Sequence, residues 1–410
     1  MKVIQVNCHY NYGSTGKIML DIHNYLNSVG VISLQCYSRG KRVKVKGVYK
    51  LAYEVVSKIG KLVNRIKGTP LAWGSYSTRK FIRIIEKEKP DIVHVHCINA
   101  FTMNVYKLLE YLRDNHLRTV LTLHAEFMYT GGCGYAFECQ QFLLRNGCEK
   151  CPSDRNGFSA SKKCHSNWER MYNAVKGFSP QLLTVVSVSP WLQNRASKST
   201  IFKAYNNISV LNGIDISVFR IYSDEEIRSV RDKYGVYDEN VILHVTSDYD
   251  APIKGGKYVD MLGEIIENNE DNYKIVVVGP SKVMGNHGVI NHLGVIRNQK
   301  DLAVLYSLSS IVVLTSEKET FSMICAESLS TGTPIAGFKA GAPETIALPK
   351  FSRFCNFGDV NTLYLNMKSL LKSGFDKKEI ETLAHKVYSS EKMSSDYLSV
   401  YQELLNHANS

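Results

Sequence analysis

Two glutamates, Glu319 and Glu327, enclose a short apolar run in the stretch SEKETFSMICAESLSTGTP, residues 316–334. An ionised carboxylate accepts hydrogen bonds and has lone pairs enough for two, so Glu327 could hold a ribose diol and Glu319 a sugar hydroxyl. The helix between them would open with amides that stabilise an anion, those of Phe321, Ser322 and Met323. The pattern suits a ligand that combines sugar hydroxyls with phosphate.

Two glycine-containing loops, each between a strand pattern and a helix pattern, are further candidates for phosphate binding. Lys254 with Gly255 could set an ammonium group and backbone amides against a diphosphate. Gly16, in NYGSTGKIM, stands where a P-loop has a glycine, but Ile18 offers no hydroxyl to Mg²⁺. A plain strand-to-helix turn is the simpler interpretation of Gly16, and both interpretations stay open here.

These candidates lie within two successive series of short β-branched runs separated by amphipathic segments. Such apolar runs predict buried parallel strands with helices between them. Predicted strands fall at 2–8, 32–38, 91–97, 119–125 and 183–189, then at 241–247, 274–280, 292–296, 310–316 and 333–338. We predict an α/β protein of two doubly wound, Rossmann-like domains facing each other across a cleft, with ligands at the carboxyl ends of the strands.

A chain of 410 residues is long enough for two such domains. The prediction is an N-terminal domain at 1–213 with a Cys-rich insertion at about 126–165, and a C-terminal domain at 214–390. The final helix, 391–410, is predicted to cross back to the N-terminal domain. Ser223 and Glu226, just after the junction, have the spacing of a helix capping box.

Motifs in the expected order along 1–345 resemble the retaining GT-B glycosyltransferases with an E-x7-E signature, which are glycosyltransferase group 1, family 4. The motifs are the spacing of Glu319 and Glu327, then STGTPIAG, GAPETI, VLNGIDISVF, SVSPWL and KGG. GSTGKIMLDI, DIVHVHCINAF and LTLHAEFMYTGGCGY resemble a branch of the family that assembles bacterial surface polysaccharide, as for O-antigen and colanic acid.

The resemblance implies transfer of a hexose, with retention of configuration, from a nucleoside-diphosphate sugar to a lipid-linked or oligosaccharide acceptor. Glu327 would bind the ribose and Glu319 the donor sugar, while Lys254 would neutralise the diphosphate without a metal or other catalytic cofactor. Catalysis would then be mostly electrostatic stabilisation of the leaving group. UDP is favoured over GDP, and backbone contacts near Ile296 would serve either base.

The sequence departs from the family pattern at two places. TSDYDAPIK lacks an Arg before the Lys-Gly pair, so another cation would have to assist. His124 is followed by Ala125 where the branch has His-Asp. The resemblance makes His124 the catalytic histidine facing the donor sugar, with the orienting carboxylate either lost or replaced by Glu126. A packed histidine at the end of a strand is the alternative.

Polar residues around the strand at 91–97 are further candidates. His94 and His96 alternate along this strand and are expected to face opposite sides of the sheet, so at least one is structural. Asn99, just beyond the strand, is the candidate for binding the acceptor.

Ten cysteines include a cluster at Cys133, Cys139, Cys148 and Cys151. Its Cys-x2-Cys pair is typical of half a structural zinc site, and four thiolates would complete one. Cys164, which is followed by His165, could replace one ligand. Zinc is favoured over free thiols, and both over disulfides, which are rare in cytosolic proteins.

The excess of positive over negative charge lies in the N-terminal fifth of the chain. Residues 1–90 contain 17 Lys and Arg against 4 Asp and Glu. Within 38–68, apolar residues recur at helical spacing with cations largely off the stripe, which is typical of a helix lying on an anionic membrane at about 1 kcal/mol per cation. The alternative is an ordinary packed helix with a solvated basic face.

We therefore expect a cytoplasmic enzyme, peripheral on the inner face of the membrane, whose partners are a nucleotide-sugar donor and a lipid-diphosphate-linked glycan. No nucleic acid is expected as a partner. Two alternatives stay open. One is a zinc-containing, basic nucleic-acid-binding protein, which leaves the glutamate pair unexplained. The other is a catalytically inactive glycosyltransferase-like subunit.

Overall fold

The computed structural model describes residues 1–152 and 162–406 and divides the chain into two compact units. Unit 1 comprises Met1–Leu211 together with the chain from Met393 onward, and unit 2 comprises Asn212–Lys392. The sequence placed the boundary at 213/214. Elements are numbered below within the described residues.

Unit 1 is built on a seven-stranded parallel sheet with the order β3-β2-β1-β4-β5-β6-β7. The order reverses between β1 and β4, as in a doubly wound fold, and polar groups at the carboxyl ends of the strands meet there. Its strands are β1 Lys2–His9, β2 Ile32–Arg39, β3 Val48–Lys50, β4 Ile92–Val95, β5 Thr119–Leu123, β6 Leu183–Ser187 and β7 Asn206–Ser209.

Helices connect these parallel strands, because a parallel pair needs a crossover rather than a tight turn. They are α1 Gly13–Ser28, α2 Glu54–Lys67, α3 Ser75–Glu88, α4 Val105–Asp114, α5 Cys164–Val175 and α6 Pro190–Lys198. The predicted insertion at 126–165 begins with a 3₁₀ turn, Glu126–Met128, and its residues 153–161 lie outside the described part.

Unit 2 repeats the architecture with the order β10-β11-β9-β8-β12-β13-β14, in which the β10 and β11 pair is antiparallel and the other pairs are parallel. Its strands are β8 Val241–Val245, β9 Lys274–Val278, β10 Gly285–His287, β11 Ile290–Gly294, β12 Ile311–Leu314, β13 Ile335–Phe338 and β14 Ser352–Cys355.

Helices separate these strands and pack against the sheet or against one another. They are α7 Asp224–Tyr234, α8 Gly256–Asn268, α9 Gln299–Leu308, α10 Met323–Ser330, α11 Pro343–Ile346, α12 Val360–Lys372 and α13 Lys377–Tyr388. The predicted capping box is confirmed at α7. The Ser223 side chain accepts from the Glu226 amide, and the Glu226 carboxylate accepts from the Ser223 amide.

A last helix, α14 (Ser390–Asn406), packs on the sheet of unit 1. Its residues Tyr397, Val400 and Tyr401 share one buried cluster with Val3 and Ile92. Residues 407–410 of the predicted final segment lie outside the described part.

Two Rossmann-like α/β units with parallel sheets confirm the predicted fold class. The ten predicted strands are all present, within a few residues of their predicted bounds. The four unpredicted strands are β3, β7, β10 and β14, which are short and lie at or next to a sheet edge. Among the described helices, none combines the length and apolarity needed to cross a bilayer.

Candidate functional site

Lys254 and Glu319 form an ion pair in unit 2, with Nζ 2.7 Å from Oε1. The topology explains the contact. β8 and β12 are neighbouring parallel strands, so the loops that follow them leave the same edge of the sheet and meet there. Both side chains are mostly shielded, at 22% and 13% exposure. The first glutamate of the sequence motif and the lysine of the glycine loop therefore belong to one site.

Glycine lets the two loops approach this closely. Gly255 has φ +70°, and a Cβ there would lie 2.2 Å from the Thr315 carbonyl oxygen. The Thr315 hydroxyl donates to the carbonyl of Lys254 at 3.0 Å, and the Glu317 amide donates to Ile253 at 2.8 Å. The backbone under Lys254 is thereby fixed from both sides.

A third loop, which follows β13, holds the backbone of Glu319 by hydrogen bonds. The Glu319 amide donates to the Ala340 carbonyl at 2.9 Å, and the Ala342 amide donates back to Glu319 at 3.2 Å. Glu344 accepts from the amides of Ala340 and Gly341, at 3.0 Å each, and so fixes the turn. Sequence reasoning quoted the GAPETI motif but gave Glu344 no role. The sequence feature that could have suggested this role is a Glu three residues after Ala340-Gly341.

The start of α10 departs slightly from the prediction. Ser322 is the N-cap rather than a helical residue, with φ +83°, and its hydroxyl accepts from the Cys325 amide at 3.3 Å. Phe321 is buried and precedes the cap, so Met323 is the first helical residue. A positive φ at a serine is a strained conformation of the kind that clusters at functional sites.

Glu327 lies on α10, half-buried, and accepts a 3.1 Å hydrogen bond at Oε2 from the Tyr306 hydroxyl of α9. Burial raises the pKa of Tyr306, and the Glu327 charge raises it further, so the phenol remains a donor. Sequence reasoning missed Tyr306, which lies within an apolar helix pattern and carries no local signal. Ile296 lies in the loop after β11, half-buried, at the same edge of the sheet.

His124 follows β5 in unit 1 and pairs with His96 at the end of β4, with Nε2 3.4 Å from His96 Nδ1. His96 Nε2 lies 3.1 Å from Gln5 Oε1, which makes Nε2 the protonated nitrogen of that ring. Burial lowers the pKa of His124 to about 4. Both rings are therefore neutral near pH 7.

The expectation that His94 and His96 face opposite sides of the sheet is wrong, since their ring centroids are 3.8 Å apart. Side chains two positions apart on a strand point to the same face. His94 is structural. Its Nδ1 lies 2.7 Å from the Tyr401 hydroxyl of α14, and its Nε2 lies 2.7 Å from Thr122 Oγ1.

Glu126, expected to orient His124, is bound to the insertion and to α6. This fully buried carboxylate accepts from Arg195 Nε at 2.6 Å, the Tyr129 hydroxyl at 2.8 Å and the Ala136 amide at 2.6 Å. Burial lowers the pKa of Arg195, but the charge and hydrogen bond of Glu126, together with the contacts of Tyr129, more than offset this, so the pKa is raised. These contacts anchor the insertion rather than supply an orienting carboxylate.

The other two candidates in unit 1 have simpler surroundings. Gly16 lies within α1, and a Cβ there would approach the His9 carbonyl oxygen to 3.2 Å, which fits close packing of helix on strand. Asn99 is exposed in the loop after β4, and its Oδ1 accepts from Cys97 Sγ at 3.1 Å.

The cysteine cluster brings thiols near one another without a formed ligand shell. Cys148 lies within electrostatic range of Cys133, Cys139 and Cys164, and burial raises its pKa to about 12. Cys164 interacts in turn with Cys151. Within 1–152 and 162–406, no three His, Cys, Asp or Glu side chains are placed to share a metal ion. Zinc binding stays a prediction.

Comparisons with known proteins find a family model and related sequences. Residues 231–386 match the family model for glycosyl transferases group 1. WcaC of Escherichia coli (strain K12), assigned to colanic acid biosynthesis as a glycosyl transferase, is 21% identical over 98% of this chain and 100% of its own length. N-acetyl-alpha-D-glucosaminyl L-malate synthase of Bacillus anthracis is 23% identical, over 80% of this chain and 78% of its own.

Solved structures with the same fold span almost the whole chain. Sucrose-phosphate synthase from Thermosynechococcus elongatus has a TM-score of 0.68 at 13% identity, covering 99% of both chains. HepE of Anabaena, solved with UDP, has a TM-score of 0.66 at 14% identity, covering 98% of this chain and 100% of its own. Residues 231–386 are thus similar to the glycosyl transferases of group 1, and the solved structures show that the fold is shared.

Proposed function

We propose that this protein is a retaining, metal-independent hexosyltransferase of the E-x7-E type, family 4, which uses a UDP-sugar donor in bacterial surface-polysaccharide assembly. The observation that carries the proposal is the Lys254–Glu319 ion pair at the edge of the sheet, where Glu319 lies in the loop that leads from β12 into α10, the helix that carries Glu327. HepE, which shares the fold, was solved with UDP and with UDP-glucose.

In this proposal Lys254 and Glu319 both contact the donor, Lys254 at the diphosphate and Glu319 at the sugar. The Lys254 charge, with the amides at the start of α10, stabilises negative charge on the leaving nucleoside diphosphate. Lys254 thereby takes the part that a divalent metal plays in other phosphate chemistry, and no catalytic cofactor is needed.

In unit 1, we propose His124 as a catalytic residue and Asn99 as an acceptor-binding residue. His124 is half-buried and neutral, and its ring is positioned by His96 and Gln5. A neutral imidazole can donate or accept a hydrogen bond without carrying charge to a developing oxocarbenium ion. The acceptor is a lipid-diphosphate-linked glycan at the cytoplasmic face of the membrane, and no nucleic acid takes part.

The donor site is tested first by thermal shift with UDP, GDP, their common hexose conjugates and a short single-stranded DNA. A ligand at about 100 times its dissociation constant adds roughly 2.7 kcal/mol of stability. We expect the largest shift with UDP and its conjugates. A clear shift with DNA and none with any nucleotide would contradict the proposal and favour a nucleic-acid-binding protein.

Glu327→Ala is expected to weaken UDP binding about 10–100-fold, because hydrogen bonds to a charged group contribute roughly 1.5–3 kcal/mol each. Isothermal titration calorimetry measures this directly. Tyr306→Phe removes only the hydroxyl that positions Glu327 and should weaken binding a few-fold. Equal affinities for wild type and Glu327→Ala would show that this carboxylate does not hold the ribose.

The zinc prediction is tested by metal analysis of protein purified without added zinc. A structural site would give about one equivalent per chain, and Cys148→Ser should lose it. Cys355→Ser, in unit 2, is the matched control and should retain it. Less than about half an equivalent in the wild type would count against the site.

A further inference from the structure

Helix α2 presents an apolar stripe to solvent. Val55, Ile59, Leu62 and Ile66 are 55%, 46%, 59% and 74% exposed. Their spacings of four, three and four residues place all four on one face of the helix. Four aliphatic side chains in one exposed row differ from the singly scattered apolar residues of an ordinary surface.

The opposite face of α2 is the one that packs on unit 1, and it is made of small residues. The Ser57 hydroxyl donates to the Ala100 carbonyl at 2.8 Å. A Cβ at Gly60 would lie 2.3 Å from Trp73 Cδ1, so only glycine permits this approach. Trp73 Nε1 donates to the Val56 carbonyl at 3.0 Å and fixes the helix from the same side. The stripe is thus turned outward by the packing itself.

Cations border the stripe along α2. Lys58, Lys61 and Arg65 follow one another at spacings of three and four and form a row beside it, and all three are exposed. Long basic side chains next to an apolar face can reach a polar headgroup layer while the apolar residues lie deeper.

A cationic cavity adjoins the N-terminal end of α2. Its volume is about 590 Å³, and it extends from the loop before β3 to Tyr53, the residue that precedes the helix. Five cations line it, and no acidic side chain does among the described residues. The cations are Arg42, Lys44, Lys46, Lys50 and Lys80. The Lys80 ammonium donates to the Lys50 carbonyl at 2.8 Å, which holds it at the rim.

We propose that α2 and this cavity form a docking surface for a bilayer containing anionic phospholipid. The stripe enters the boundary between headgroups and acyl chains, the basic row lies among the headgroups, and the cavity takes a lipid phosphate. Protein interfaces are depleted of lysine at their cores, and a nucleic acid offers no partner for four aliphatic side chains. The surface is independent of the donor site, so it stands whichever sugar is transferred.

The test is co-sedimentation of the full-length chain with vesicles of phosphatidylcholine alone or of phosphatidylcholine and phosphatidylglycerol. We expect binding to the anionic vesicles about tenfold or more tighter than to the neutral ones, and weakening as salt is raised. Ile59→Ser with Leu62→Ser should reduce binding about tenfold or more. Leu365→Ser, at a 64% exposed residue of α12, is the matched control and should bind as wild type does.

A second variant tests the basic row. Replacing Lys58, Lys61 and Arg65 by glutamine should remove the preference for anionic vesicles. Lys372→Gln with Lys386→Gln, exposed in unit 2, is its control. The UDP thermal shift, unchanged in every variant, shows intact folding and separates this result from the donor-site proposal. Equal vesicle binding by wild type and the stripe variant would overturn the inference. The inference would also be overturned if the wild type were a dimer that binds no vesicles and the stripe variant were a monomer.

Discussion

Glu319→Gln is expected to lower the turnover number about 10²–10³-fold while changing UDP affinity only a few-fold. The substitution keeps the size of the side chain and one acceptor oxygen but removes the charge that pairs with Lys254 at 2.7 Å. Removing one preorganised electrostatic contact of a transition state typically has an effect of this size, about 2.7–4 kcal/mol. The ground-state contacts of the nucleotide with Glu327 and the amides of α10 remain.

Turnover is measured as release of UDP from the sugar donor that the thermal-shift screen selects, with water as the acceptor. Effects on turnover and on KM are then separated, since loss of turnover alone marks a contact made in the transition state. Glu317→Gln, two residues away in the same loop, is the matched control and should stay within a few-fold of wild type. A Glu319→Gln enzyme as fast as wild type would remove Glu319 from the mechanism. UDP binding without turnover in the wild type would favour an inactive subunit.

Glu126→Ala is expected to destabilise unit 1 by about 3–5 kcal/mol. It leaves the Arg195 guanidinium, only 16% exposed, without the carboxylate that compensates its charge. Breaking one side of a buried ion pair has a cost of this order. The Tyr129 hydroxyl and the Ala136 amide lose their acceptor at the same time.

Tryptophan fluorescence reports this unit alone, because the three tryptophans, Trp73, Trp168 and Trp191, all lie in unit 1. In urea, the midpoint of the fluorescence transition should fall by about 1–2 M for Glu126→Ala. Asp114→Ala removes a carboxylate that is 60% exposed and paired with Arg113 at 2.8 Å. This control should change stability by less than about 1 kcal/mol, as exposed ion pairs do.

A double variant, Glu126→Leu with Arg195→Met, shows whether the pair itself matters. If the penalty comes from an uncompensated buried charge, removing both charges should recover much of the lost stability. Arg195 also lies over the Phe142 and Trp191 rings, with centroid distances of 4.8 and 5.0 Å, and Met retains part of that contact. A single Glu126→Ala variant as stable as wild type would show that the insertion is anchored without this carboxylate.

Local patterns determined much of the fold. Runs such as VILHV and IVVL predicted buried strands between amphipathic helices. Ser223 with Glu226 predicted the start of a helix. The resemblance to the E-x7-E family predicted Lys254, Glu319 and Glu327 as one group. The contact between Lys254 and Glu319 follows once β8 and β12 are adjacent, because parallel strands deliver their loops to the same edge.

Hydrogen-bond and ion-pair partners from distant parts of the chain could not be predicted from the sequence. Tyr306 donates to Glu327 from another helix, and Arg195 donates to Glu126, which lies 69 residues away along the chain. Tyr401, on the last helix, holds His94. A phenol or guanidinium in an amphipathic pattern has no local feature that names its partner, since the contact depends on how the elements pack.

Helix α2 separates the two kinds of information most clearly. The sequence by itself determined that Val55, Ile59, Leu62 and Ile66 share one face, because helical periodicity is a local property. Only the tertiary structure decided that this face points to solvent. Because Trp73 approaches Gly60 closely, the inner side of the helix has space only for backbone and small side chains. The large apolar side chains therefore lie on the outer side.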